Sequence, residues 1–466
     1  MPDILLISDD VVGVRMAGPG IRAWEIARVL SGRFGVELAV PEMRSNDADA
    51  AFFRQAPFSV YSYATDRPRD LMARAEAARI VLVQGYVLSK FPGLRDLPRP
   101  LIADIYDPFV LENLFIHQRK IGNLHDREAV HYHDLGVFNG LLRRGDHFLV
   151  ASDRQRDLVT GCLLALGRIG PADLDAGADL DQLLSVVPFG IEEDKAGENA
   201  AAPENVRTLF PQIGDDDILL LWGGVLSDWY DPETLLRALN IVRRSDSRVK
   251  LLFLATGHPN PVVPAWETVP VAKALASELG FPAGSVIFND GWIPYDRRGA
   301  IFRRADIGVS IHRTHFETRY AFRTRMLDYL KYGLPVIGTE GDVFAALIEE
   351  RNLGRVVRSG DVEGLARAIA DLSGNAGERQ AIRARTLEIR ERFLWKNTAA
   401  PLVAWCGKVL SGNFTAPRRP SRADIIRACA GSPGSPSPGP LERWARRIGR
   451  RLPPRVLGRL RRLKKG

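Results

Sequence analysis

Short apolar strands alternate with helical segments along most of this chain, and the alternation starts twice. The first series opens on Ile4-Leu5-Leu6-Ile7. A Gly/Pro-containing loop follows from Gly13 to Gly20, and a helix is predicted over 21–30, where Ile21, Trp24, Ala27 and Leu30 recur at helical spacing. Further strands are predicted at 36–40, 80–83, 101–103, 147–150 and 184–187. Residues 195–205 are polar and Ala-rich and read as a linker. The second series begins with an apolar run at 218–222 that enters Gly223-Gly224. It continues with strands at 250–255, 285–288, 307–311 and 335–338, and with helices at 232–243, 297–304, 323–332, 344–351 and 362–372. Strands separated by helices form parallel sheets covered on both faces. The expectation is an α/β protein with two Rossmann-like α/β/α domains, closed by a helix at 399–410.

Composition fits that reading. The 466 residues are 45% hydrophobic and 26% charged, ordinary for a globular chain able to bury large cores. No apolar run reaches transmembrane length. The N-terminus lacks a basic leader region and reads as a buried strand rather than a signal peptide. Cys162, Cys406 and Cys429 form no CxxC, so a reducing, cytoplasmic setting is expected, without a disulfide framework or zinc site.

The net charge of +8 is unevenly spread. Residues 412–466 hold fifteen Lys and Arg against two acids, which leaves the preceding residues about five charges net negative. The overall basicity is therefore no evidence that the body binds nucleic acid. After the Pro/Ser/Gly stretch 431–440, Trp444, Ile448 and Leu452 share one helical face, as do Val456, Leu457, Leu460 and Leu463 beyond Pro453-Pro454. Such a basic amphipathic segment suits an anionic membrane surface, so residues 441–465 are expected to place the protein peripherally on a cytoplasmic membrane face. A solvated tail is the plain alternative, and nucleic-acid binding by the tail is a third.

Two open parallel sheets facing each other make a cleft beyond the carboxyl ends of their strands. Glycine-rich turns and helix N-termini there suit phosphate. Gly18-Pro19-Gly20 opens the first helix and Gly223-Gly224 follows the strongest strand. Neither is GxGxxG, and no GxxxxGK[ST] occurs, which argues against the common dinucleotide and P-loop readings.

The ordered segments GPGIRAWEIARVL, ADIYDPFVLENL, FLVASDRQRDL, VVPFGI, LLWGGVLSDWYDPETLLRAL, VIFNDGWIP, ADIGVSIH and FRTRMLDYLKYGLPVIGTEGD carry a resemblance over residues 1–410. They resemble the retaining GT-B glycosyltransferases of the family-four type, or glycosyl transferases group 1. The resemblance implies an acceptor-binding domain at 1–195, a nucleotide-sugar-binding domain at 205–395, a helix at 396–411 crossing back to the first, and a tail at 412–466. It implies transfer with retention from a nucleotide-sugar to a saccharide or lipid-linked acceptor, in cell-surface polysaccharide or glycoconjugate synthesis, with no cofactor and no metal. In such enzymes a carboxylate five residues before the glycine of a G-x-P-V turn holds the donor ribose. Here Asp328 stands five before Gly333. The sequence departs from the pattern in three places. Tyr320 stands where a second glutamate is common. The Arg and Lys that grip the diphosphate after the glycine loop are replaced within 226–231. Tyr106-Asp107 stands where a histidine is common.

Individual residues follow. Arg323 and Arg325, at a helix start, are expected to reach the phosphates in place of the missing pair. Gly18, Gly20, Gly223 and Gly224 are expected near the diphosphate or acceptor; a structural turn is the plain reading of Gly223-Gly224. Arg22 either reaches a phosphate or covers a surface. Asp107 either meets sugar hydroxyls or starts a turn before Pro108. Glu317 either orients the sugar or is a loop acid, and Trp292 either borders the base or is core. Asp107, Glu317 and Arg323 are thus the catalytic candidates. His131, His133 and Asp134 are two apart or adjacent on a helix, which puts the histidines on different faces and argues against a metal site. The rival functions are a different enzyme of the same fold, such as a sugar-nucleotide epimerase or a phosphorylase, and a non-catalytic subunit that keeps the fold within a polysaccharide assembly complex.

Overall fold

The computed structural model describes residues 1–417, apart from 43–46, 176, 178, 194–205, 258–264, 294–296 and 415. Met1–Pro417 is one compact unit. The proposed linker at 195–205 and the basic segment 441–465 lie outside the described residues.

Two parallel sheets build this unit. The first contains β1 (Ile4–Ile7), β2 (Val36–Pro41), β3 (Ser59–Tyr63), β4 (Ile80–Gln84), β5 (Leu101–Asp104), β6 (His147–Val150) and β7 (Leu184–Val186), in spatial order β3-β2-β1-β4-β5-β6-β7. Register is set around β1, where Ile4 pairs with Val36 on one side and Ile80 on the other. The second contains β8 (Ile218–Val225), β9 (Val249–Ala255), β10 (Val286–Phe288), β11 (Ile307–Ser310), β12 (Val336–Thr339) and β13 (Gly354–Val357), in order β10-β9-β8-β11-β12-β13. In each sheet the chain runs outward, returns to the centre and runs out the other way. The switch points therefore lie between β1 and β4 and between β8 and β11, where such sheets offer a ligand crevice.

The inner strands are apolar without alternation because helices cover both faces. β1 and β4 are buried at every position. Edge strands differ. The outer strands β3 and β13 are half-exposed and carry no continuous apolar run, which is why sequence reading passed over both.

One hydrophobic core links the halves. It runs from Ile4, Leu6 and Ile26 through Phe189, Ile191 and Trp395 to Leu219, Phe302 and Leu330. The two chain crossings between the halves lie side by side. Ile191 N–H donates to Phe393 O at 2.6 Å, and Trp395 N–H donates to Ile191 O at 3.1 Å. Gly190 lets them approach: a Cβ there would stand 2.6 Å from the Trp395 ring. After this crossing the helix Ala400–Leu410 packs on the first half. Trp405 stacks on His147 at 4.6 Å, and its indole N–H donates to Gln182 O at 3.2 Å.

Candidate functional site

The β8/β11 switch point is built by glycines and by one helix. β8 loses register with β9 between Trp222 and Val225, so Gly223-Gly224 bend the strand end. Gly223 is there for packing. Its N–H donates to the Tyr329 hydroxyl at 2.9 Å, and a Cβ would meet Phe302 at 2.7 Å and Tyr329 at 2.9 Å. Gly224 is more open, with the Arg325 guanidinium 3.6 Å from its Cβ position. The helix Arg325–Tyr332 starts beside this bend and ends on Gly333 at φ 71, a left-handed position that a Cβ would strain.

Arg325 lies across the strand end. Its guanidinium covers the Tyr230 ring at 4.0 Å and the Trp222 ring at 4.5 Å, and Nη2 donates to Val225 O at 2.8 Å. Its Nη1 is buried without a partner among the described residues. Two residues earlier, Arg323 is 5% exposed; its Nη2 donates to Glu317 Oε2 at 2.7 Å. Its Nε is also buried without a partner among the described residues. Burial works against the Arg323 charge, yet Glu317, Tyr230 and Asp342 outweigh it and hold the guanidinium firmly protonated. Ser310 Oγ at the end of β11 is a further buried polar atom without a hydrogen bond among the described residues, and the buried His312 ring lies against the Glu340 backbone. Burial, with Arg323 second, presses the His312 pKa down to about 3, so the ring is neutral. A buried polar atom without a partner costs about 1–3 kcal/mol, so this cluster around two cations is prepared for an anionic, oxygen-rich ligand.

Asp328 sits one turn after Arg325 with its side chain 16% exposed. Arg298 Nη2 donates to its Oδ1 at 2.9 Å. Burial raises the Asp328 pKa, while Arg298 and Lys331 act against the rise. A carboxylate has about four acceptor sites, so one arginine contact leaves room for two hydroxyl donors. Arg298 was missed in the sequence because its partner is thirty residues away.

The first half meets this site through its own strand ends. Asp107 follows β5 and is half-buried, and burial raises its pKa to about 6. Glu317 and Arg323 are among the groups it feels, although they lie in the other half. Glu317 itself is buried rather than a surface acid. Glu112 joins the same group, and nothing in the sequence singled it out because an acid in a first helical turn is commonplace. Gln155 Nε2 donates to Tyr320 O at 2.8 Å, and Arg154 Nη1 donates to Gly341 O at 2.6 Å.

Other expectations resolve differently. Gly18 begins the helix Gly18–Ser31 with no neighbour closer than the Phe189 ring at 4.0 Å from its Cβ position. Gly20 is a packing glycine, since a Cβ there would run into the Val11 carbonyl and Met16. Arg22 neither covers a surface nor faces a phosphate. It is fully buried, forms a two-pronged pair with Asp104 at 2.7 and 2.8 Å, and donates to Val187 O at 2.9 Å. Trp292 follows β10 half-buried, with its indole N–H unpaired among the described residues. Asp134 accepts from the Tyr86 hydroxyl and from Asn113 Nδ2, both at 2.8 Å. No helix among the described residues is long and apolar enough to cross a membrane.

Two Rossmann-like halves whose strand ends share one cleft define the GT-B fold. Residues 217–375 match the family described as glycosyl transferases group 1. Solved structures of like fold include Anabaena HepE in complex with UDP and glucose, at 15% identity and TM-score 0.61, over 88% of this chain and 100% of that one. The sucrose-phosphate synthase of Thermosynechococcus elongatus matches at 14% identity and TM-score 0.59, over 88% and 99%. WaaG, a glycosyltransferase involved in lipopolysaccharide biosynthesis, matches at 15% identity and TM-score 0.55, over 88% and 100%. No curated protein sequence matches the chain.

Proposed function

We propose that this protein transfers a sugar, with retention, from a nucleotide-sugar held mainly by the second half to a saccharide or lipid-linked acceptor held by the first. The observation that carries the reading is the order of groups along one short stretch. Asp328 offers a carboxylate suited to ribose hydroxyls. Arg325, one turn before it, offers an unspent N–H at the glycine bend. Arg323, just before that, offers another beside the carboxyls of Glu317 and Asp107. Ribose, diphosphate and sugar follow one another in a nucleotide-sugar in the same order. HepE, of like fold, is a structure with UDP-glucose, which agrees with such a donor.

The chemistry then falls to electrostatics. As the glycosidic bond to phosphate breaks, negative charge grows on the leaving diphosphate. Arg323 and Arg325, already desolvated and fixed, would stabilise it without reorganising. Asp107 and Glu317 would accept hydrogen bonds from the sugar and steady the positive charge that develops on its ring. Closure of the two halves over the donor would exclude water and so limit its hydrolysis. Gly18 leaves space at the first-half wall for the acceptor or the diphosphate, and Trp292 would border the base. The fold and pathway class fit cell-surface polysaccharide or glycoconjugate synthesis on a cytoplasmic membrane face, with the basic segment 441–465 as the contact.

The test is a thermal-shift screen of the full chain with UDP, GDP, dTDP and ADP and their common sugar derivatives, beside Asp328→Ala. A nucleotide at 100 times its dissociation constant should stabilise by about 2.7 kcal/mol. Stabilisation by one base, lost in the variant, supports the reading. A full chain that responds to no nucleotide refutes it and favours a non-catalytic subunit.

A further inference from the structure

The segment FLVASDRQRDL passes from β6, which ends at Val150, straight into the helix Asp153–Ala165. Ser152 caps that helix, its Oγ accepting from Gln155 N–H at 3.3 Å. The Gln155 side chain is buried and engaged at both ends. Oε1 accepts from Ala151 N–H at 2.7 Å within the first half, and Nε2 donates to Tyr320 O at 2.8 Å in the second. Only one orientation of the amide satisfies an N–H on one side and a carbonyl on the other, so the first bond aims the second. Arg154, beside it, donates through Nη1 to Arg319 O at 3.2 Å and to Gly341 O at 2.6 Å.

The backbone that these two residues grip is a short turn knit by its own bonds. Thr318 N–H donates to His315 O at 3.1 Å, and Tyr320 N–H donates to Glu317 O at 2.8 Å. Thr318 Oγ1 accepts from His315 N–H at 3.0 Å and donates to Arg313 O at 3.2 Å. Glu317 enters this turn, and its buried carboxylate holds the buried Arg323 guanidinium at 2.7 Å. Displacing Tyr320 O therefore displaces Glu317, and with it the cation. Asp328 and Arg325 are held differently. Their anchors, Arg298 and Val225 O, both belong to the second half.

We propose that Gln155 is a positioning residue of the donor site: from the first half it fixes the turn that carries Glu317 and so aims Arg323. The inference rests on the donor reading above. Gln155 acts through the turn and touches no substrate. The diphosphate-sugar end of the site is then complete only when the halves are together, whereas the nucleoside end is built by the second half alone.

Calorimetric titration of full-length parent and Gln155→Glu with UDP-glucose and GDP-mannose, beside uridine and guanosine, tests this. The glutamate keeps the acceptor for Ala151 N–H. Protonated, it also keeps a donor for Tyr320 O; ionised, it has none and sets a charge against that carbonyl. Dividing by the parent's affinity at each pH removes the titration of every group the two proteins share. The relative affinity for the nucleotide-sugar should fall at least about tenfold between about pH 5.5 and about pH 9, as expected for a buried carbonyl left unpaired. The relative affinity for the nucleoside should stay level. A nucleotide-sugar ratio that does not change with pH, or a nucleoside ratio that falls with it, overturns the inference. Should Gln155→Glu not fold, Arg154→Met decides, since that side chain is partly exposed. It should weaken the nucleotide-sugar several-fold and spare the nucleoside, and parent-like binding of both overturns the inference. A parent that binds no nucleotide-sugar would instead be a failure of the donor reading.

Discussion

Arg325→Met is the most direct probe of the phosphate site. The thioether chain is long and unbranched, so it can fill the space between the Trp222 and Tyr230 rings that the guanidinium now covers at 4.5 and 4.0 Å. The substitution removes a buried positive charge, the bond to Val225 O at 2.8 Å and the unspent Nη1. A hydrogen bond to a charged group is worth about 1.5–3 kcal/mol, so a nucleoside diphosphate should bind roughly tenfold to a hundredfold more weakly. Two lost cation–π contacts, at about 0.5–2 kcal/mol each, should also lower the melting temperature. That loss of fold stability must be separated from the loss of affinity. Calorimetry therefore compares the nucleoside diphosphate with the bare nucleoside on protein verified as folded. The diphosphate should lose affinity and the nucleoside should not, and Arg325→Lys should recover part of the loss. Equal weakening of both ligands would refute the reasoning, because the arginine would then be shaping the site rather than touching phosphate.

Three further outcomes are expected. Arg22→Met should destabilise the fold by about 3–5 kcal/mol in chemical denaturation, because it strands the fully buried Asp104; R22M combined with D104L should recover much of that loss. Gly223→Ala should cost about 1–3 kcal/mol, from contact with Phe302 and Tyr329, whereas Gly224→Ala, facing Arg325 at 3.6 Å, should fold nearly as well and act mainly on nucleotide affinity. Burial holds His147, between Gln182 O and Ser185 Oγ, at a pKa of about 4. Below the unfolded value of about 6.5 the unfolded chain therefore takes up a proton that the folded one refuses. This residue's share of stability is complete above about 6.5 and falls by roughly 3 kcal/mol as the pH drops to 4. Denaturation of the parent and of His147→Phe at pH 7.5, 6 and 5 should show their difference changing in that direction, and a pH-independent difference would exclude it.

The sequence by itself determined the two α/β halves, because strands buried on both faces have to be written as apolar runs and each run is a local fact. It also determined where glycines bend the chain after a strand, and that Asp328 stands five residues before Gly333. Edge strands β3 and β13 escaped because solvent on one side removes the run that marks a strand. Tertiary structure alone decided what each polar residue does. Arg22 finds Asp104 eighty-two residues away, and Gly223 finds the Tyr329 hydroxyl one hundred and six residues away. Neither partner is visible in a local pattern. Glu112 looks like any acid in a first helical turn until the halves close and set it among Asp107, Glu317 and Arg323. The reason is physical: burial of apolar surface is encoded residue by residue, whereas a charge takes its role from whichever groups the finished fold brings within hydrogen-bonding reach.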